Sequence, residues 1–160
     1  MLFDEEVIIL RELNVEGFDD NDINIFDVCR SDMENLSDED NLLVKNIKLI
    51  FHAWNPEVGI VDVDKYPYTS AYDLDVWLIY RLLKSKVNAT GVKRYLNYYL
   101  DDCKNTRDFN NGYYPFDDDQ YQQLLLQAET MASILVELPG CSDTFLDQSI
   151  KQIKQMKGKL

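Results

Sequence analysis

The chain has 160 residues, 46% of them hydrophobic, and a formal net charge of −13. That length fits one domain of ordinary size, and that apolar share can bury a core. The charge argues against a nucleic-acid binder and against attachment to an anionic membrane face, since both need basic patches.

The charge is blocked rather than spread. Residues 1–44 hold 14 acidic against 2 basic side chains, residues 45–108 hold 8 against 10, residues 109–150 hold 7 against none, and residues 151–160 hold four lysines. Two acidic blocks flank a balanced middle. No apolar run approaches the roughly 20 residues that span a bilayer, and the acidic start "MLFDEEVIIL" does not read as a signal peptide. Cys29, Cys103 and Cys141 are far apart and lack C-x-x-C spacing, which suits free thiols in a reducing cytoplasm.

In chain order, "FDEEVIILREL" reads as a helix with Phe3, Val7 and Leu10 inward, although Val7–Leu10 also fits a strand. "DINIFDVCRSDM" offers Ile25, Phe26 and Cys29 to a second helix. "SDEDNLLVKNIKLIFHAW" is clearer: Leu43, Ile47, Ile50, Phe51 and Trp54 share one face, Ser37 is the N-cap, and Asn55-Pro56 ends the helix. "SAYDLDVWLIYRLLKSK" is apolar almost all round, which predicts a helix central in its bundle. "TGVKRYLNYYLDDC" lines up Val92, Tyr95, Leu96, Tyr99, Leu100 and Cys103 behind Thr90 as N-cap. "DDQYQQLLLQAETMASILVEL" places Tyr121, Leu124, Leu125, Ala128, Met131, Ala132 and Leu135 at helical spacing, with Pro139-Gly140 as the stop. A last helix starts near Ser142 and buries Leu146, Ile150 and Ile153. The expectation is an all-α fold: a compact single-domain bundle of six or seven helices over 1–160, with a possible minor strand near 60–64.

Two connections are long, about Asn55–Thr69 and about Asn105–Phe116, against the roughly 2–8 residues usual between bundle helices. Both set tyrosines beside aspartates: Asp62, Asp64, Tyr66 and Tyr68 in the first, Tyr113 and Tyr114 running into Asp117, Asp118 and Asp119 after the second.

No catalytic motif stands out. A calcium loop starting at Asp108 puts Tyr113 where glycine is required and Asp119 where the bidentate glutamate belongs. "DDCKN" at Asp101–Asn105 matches the aspartate-rich magnesium motif only superficially, and adjacent aspartates on a helix point about 100° apart. Asp101 and Asp102 sit near a helix C-terminus, where the dipole disfavours them, so each is expected to contact a basic residue. His52, the single histidine, has no ligand partners for zinc. There is no glycine-rich phosphate loop and no nucleophile elbow. The sequence therefore predicts no catalytic residue, no metal site and no cofactor, and a non-enzymatic role.

One capping carboxylate suffices to start a helix, so Asp117, Asp118 and Asp119 in a row exceed that need. Exposed aspartates speed encounter with a basic protein, and tyrosines supply broad, stiff contact area. Asp62, Asp64, Tyr66, Tyr68, Tyr113, Tyr114 and Asp117–Asp119 are thus the candidate partner-binding residues. The same residues also describe a soluble acidic surface with its tyrosines packed inward.

Size, charge and acidic aromatic loops give a profile that resembles the immunity proteins bacteria pair with contact-dependent or other polymorphic toxins. No motif carries this resemblance, and that class has many unrelated folds. It implies a cytoplasmic toxin inhibitor that covers the active site of a basic toxin, a nuclease domain, by protein–protein interaction as in toxin–antitoxin pairs, with no direct nucleic-acid or membrane contact. Two alternatives remain open: a phage-type inhibitor or DNA mimic acting on a host nucleic-acid-binding defence enzyme, and an Asp-dependent metal hydrolase.

Overall fold

A computed structural model describes residues 36–158. The two helices expected before residue 36, and the strand alternative at Val7–Leu10, lie outside the described residues. Within them the chain forms five helices: α1 (Asp38–Trp54), α2 (Asp73–Lys84), α3 (Ala89–Asn105), α4 (Asp118–Val136) and α5 (Asp143–Met156). The all-α expectation holds there, with five helices rather than six or seven. No strand occurs among the described residues; the segment expected to form a minor strand near 60–64 is two turns joined by irregular backbone at Val61 and Asp62. Its Val61 N–H bonds back to the Glu57 carbonyl, and Asp62 Oδ1 accepts the Lys65 N–H, so the local bonds close turns instead of a ladder.

Capping sets most helix starts. Ser37 accepts the Asp40 N–H at 3.2 Å, and Asp38, Glu39 and Asp40 occupy the positive first turn. Ser142 accepts the Phe145 N–H at 3.1 Å. Helix α3 starts two residues earlier than Thr90 as cap would allow: Asn88 is the N-cap and accepts the Gly91 N–H at 3.0 Å. The Val87 N–H bonds to the Leu82 carbonyl, so the chain turns sharply after α2 and reaches its helical course by Ala89. At the other end of α1, Asn55 takes φ 42°, a left-handed conformation asparagine tolerates, and Pro56 follows.

The closest helix pairings are α3 with α4, and α1 with both α2 and α5. The buried face of α1 carries Leu43, Ile47, Ile50, Phe51 and Trp54, the stripe expected from its spacing. Seven of the twelve residues of α2 are buried, in keeping with its all-round apolar pattern, although Leu74 is exposed. Trp77 stacks on Tyr80 at 5.0 Å. On α5, Leu146 and Ile153 are buried while Ile150 is only partly so.

One polar bridge ties three helices together. The buried Trp54 indole N–H donates to Gln127 Oε1 at 2.9 Å, and Gln127 Nε2 donates to the Met156 carbonyl at 3.3 Å. Gln127 is therefore inside the bundle while Leu126, one residue before it, is 75% exposed.

Candidate loop-built docking face

The two long connections meet. Loop A (residues 55–72) approaches loop B (residues 106–117) so closely that the Gly59 N–H bonds to the Pro115 carbonyl at 2.8 Å. A Cβ at position 59 would lie 2.3 Å from the Tyr114 carbonyl oxygen and 2.9 Å from that of Pro115. Only glycine lets two backbones come this near.

Loop B is built on itself. Asp108 and Tyr113 exchange both backbone bonds, at 2.7 and 2.8 Å. Asp108 Oδ1 accepts the Asn110 and Asn111 N–H groups, and Gly112 takes φ 76° to close the turn. Arg107 fastens this loop to α4. Its guanidinium donates to the Phe116 carbonyl and to Asp118 Oδ1 at 2.9 Å, and it lies 5.9 Å from the centres of the Tyr114 and Phe116 rings.

Beneath the junction is a buried polar cluster. Glu57, 8% exposed, accepts the Tyr99 hydroxyl on one carboxyl oxygen and the Tyr113 hydroxyl on the other at 3.3 Å. Its backbone N–H donates to the Tyr72 hydroxyl at 2.9 Å, and Tyr72 donates to Asn55 Oδ1 at 2.7 Å. Burial raises the Glu57 pKa above the ordinary carboxylate range, with the Tyr99 and Tyr113 hydrogen bonds opposing. Burial also pushes the nearby Cys103 thiol up to about 12, and raises Tyr99 far above the ordinary phenol value. Cys103 and Cys141 are both free, and Cys29 lies outside the described residues.

The residues expected to bind a partner divide into three groups. Tyr113 is half-buried and turns its hydroxyl inward to Glu57; Tyr114 is half-buried against Phe109, their ring centres 4.5 Å apart. Asp117 is the N-cap of α4 in a capping box with Gln120, accepting its N–H at 2.7 Å. Asp118 pairs with Arg107 but keeps its side chain 83% exposed. Asp119 is exposed, with no hydrogen bond or ion pair among the described residues. Asp62 and Asp64 are exposed, Tyr66 is 57% exposed and Tyr68 94%. Exposed apolar residues join them on the same two loops: Val58, Ile60 and, at 70%, Phe109.

Val58, Asp117, Asp119, Gln123, Leu124 and Met156 line part of one cleft of about 410 Å³. The structure thus brings loop A to the Asp117–Asp119 turn at Val58. Tyr66 and Tyr68 line a separate shallow groove within residues 65–70.

Glu57, Gly59 and Phe109 were not among the expected site residues. No local pattern marks Glu57, because its hydroxyl partners stand 15, 42 and 56 positions away. Phe109 did leave a signal, an aromatic inside an Asp/Asn/Gly turn. The expected basic contact of Asp101 is replaced by the Tyr121 hydroxyl, with Lys104 4.4 Å above the Tyr121 ring. That hydrogen bond, and burial after it, pushes the Tyr121 phenol up to about 12.

Among the described residues, no group of three His, Cys, Asp or Glu side chains could hold a metal ion, and no helix is long and apolar enough to cross a membrane. His52 packs edge-on to Tyr72 at 5.9 Å, and burial lowers its pKa, with Lys48 adding to the effect and Asp73 opposing it.

The cap makes a local prediction. Asp117→Ala lowers the unfolding free energy by about 1 kcal/mol, while Asp117→Asn, itself a good cap, leaves it nearly unchanged. Urea denaturation of the two variants checks this; equal losses would remove the capping role.

Comparison with protein-family models, with curated proteins and with solved structures finds no match to this chain.

Proposed function

We propose that this protein is a binding inhibitor of the immunity-protein type, docking a basic partner protein on the face built by loops A and B. One observation carries the reading. The two loops are fastened to each other and leave apolar groups and aspartates exposed: Val58 and Ile60 with Asp62 and Asp64 on loop A, Phe109 on loop B and Asp119 at the start of α4, with Tyr66 and Tyr68 exposed around the separate groove of loop A. Apolar groups exposed together beside charge are what an interaction surface requires and what a merely soluble surface avoids.

Charge complementarity defines the partner. Residues 109–150 contain seven acidic and no basic side chains, and the negative field they give the start of α4 is only partly offset by Arg107, by Lys104 over the Tyr121 ring and by Lys157 in the cleft with Asp117 and Asp119. Such a field steers a basic surface into contact and repels nucleic acid. The finer proposal is that the partner is a basic toxin, a nuclease domain, and that inhibition is occlusion: the aspartates engage the cationic groups that would hold nucleic-acid phosphates, and the aromatics exclude water from the contact.

Affinity capture from lysate of the source cell at low and high salt tests this, with retained proteins identified by mass spectrometry. The expected result is one basic, nuclease-like protein, retained less at high salt, whose nuclease activity the purified protein abolishes in a direct assay. A retained partner whose activity is unaffected would overturn inhibition, and a partner without a basic surface would overturn the docking mode.

A further inference from the structure

Glu57 sits at the junction of the two loops, and its environment is unsuited to a charge. Tyr72 faces it from the end of loop A, Tyr99 and Cys103 from α3, and Tyr113 from loop B. Asp75 on α2 adds a negative influence on Tyr72, Tyr99 and Cys103. From α1, the Phe51 ring packs on Tyr72 and Tyr99, and the half-buried His52 ring lies against Tyr72. None of the ion pairs among the described residues involves Glu57. The hydroxyls around it supply hydrogen bonds but no compensating charge.

A buried carboxylate without a cation is costly, and the cost is relieved either by a proton or by water. Of the groups on Glu57, the Tyr113 hydroxyl is the one that comes from loop B. Among the described residues, the hydrogen bonds that join the loops here are the Gly59–Pro115 backbone bond and the 3.3 Å Tyr113–Glu57 contact, so Glu57 holds one of the two. From this geometry we infer that Glu57 is a proton-controlled clasp on the docking face: protonated, it lets loops A and B lie together, and ionised, it drives them apart.

The sign follows from linkage. Burial raises the Glu57 pKa in the closed arrangement, whereas an open, hydrated Glu57 titrates in the ordinary carboxylate range. The closed form therefore holds the proton more tightly. The stabilisation of closure is complete below the ordinary range and is lost as pH rises through the raised value. The clasp bears on partner binding only if the docking reading is right, but it can be read without any partner.

The experiment is amide hydrogen exchange of the Gly59 N–H in the full chain between pH 5 and pH 8, expressed as protection relative to the intrinsic rate. Wild type is expected to lose protection with rising pH, by at most about tenfold per unit, while the Leu100 and Ala128 amides stay better protected. Glu57→Gln, which keeps an acceptor oxygen for the tyrosines, is expected to be flat. Tyr113→Phe removes one donor to the carboxylate and is expected to deepen the fall. A flat wild type, or Glu57→Gln falling in parallel with wild type, would overturn the clasp. A clasp that responds as stated while the loop aspartates prove irrelevant to partner binding would overturn the docking reading alone.

Discussion

Trp54→Ala is expected to lower the unfolding free energy by roughly 5 kcal/mol, the largest loss from any single truncation in the described core. Two effects combine. The fully buried indole packs edge-on to Phe51 at 5.6 Å, and emptying such a site costs about 3–5 kcal/mol through lost burial and the residual cavity. The Gln127 carbonyl then loses its only donor shown here and remains buried, an added cost of about 1–3 kcal/mol where water cannot enter. Because Gln127 also reaches the end of α5, the damage spreads from α1 to two other helices. Urea denaturation measures it, with Leu126→Ala on the exposed side of α4 as the reference, where less than about 0.5 kcal/mol is expected. A Trp54→Ala loss under about 1 kcal/mol would mean that the indole is not the joint between α1, α4 and α5.

Gly59→Ala carries the second large effect, and it acts on the junction of loops A and B, the proposed docking face. The new Cβ meets backbone oxygens of Tyr114 and Pro115, which cannot rotate away as a side-chain tip could. Either the loops separate or the backbone strains, at about 1–3 kcal/mol. Separation breaks the Gly59–Pro115 bond and withdraws the Tyr113 hydroxyl from Glu57, so the variant is expected to lose stability and to weaken partner binding together. Denaturation and a binding titration on the same preparation check both. An unfolding curve superimposable on wild type would contradict the close approach of the loops.

The helices were legible because α1, α3, α4 and α5 repeat apolar residues at helical spacing behind a capping side chain, and α2, which lacks a side-chain cap, is apolar almost all round. Ser37 and Ser142 show this most plainly. What local pattern could not decide was the choice between neighbours of similar type. Asn88 and Thr90 both suit an N-cap, and the tight Val87–Leu82 turn selects the first. In "QLLLQ" the spacing cannot show that Leu126 faces outward and Gln127 inward, because the reason is an indole 73 positions away. The possible strand near 60–64 failed for a similar reason: the alternation of Val61, Asp62, Val63 and Asp64 is real, but it serves turns in a loop with no adjacent strand among the described residues.

The acidic and aromatic composition of the docking face was also visible in the chain, whereas its assembly was not. Tyr113 and Tyr114, expected as contact residues, are half-buried in the loop junction. Asp117 serves its helix first. The expected residues that stay exposed without a capping role are Asp62, Asp64, Tyr66, Tyr68, Asp118 and Asp119, and Phe109, Val58 and Ile60 are exposed on loops whose contact depends on one glycine.

The most direct test of the docking face is the association rate with the captured partner as a function of ionic strength. Three proteins are compared: wild type, a variant with Asp117, Asp118 and Asp119 changed to Asn, and a control with Glu129→Gln, Glu137→Gln and Asp147→Asn. Both triple variants remove three negative charges, so net charge cannot separate them. The account predicts that the Asp117–Asp119 variant associates about tenfold more slowly at low salt, with a flatter salt dependence, while the control stays close to wild type. Equal slowing in the two variants, or a wild-type salt dependence in the first, would contradict it.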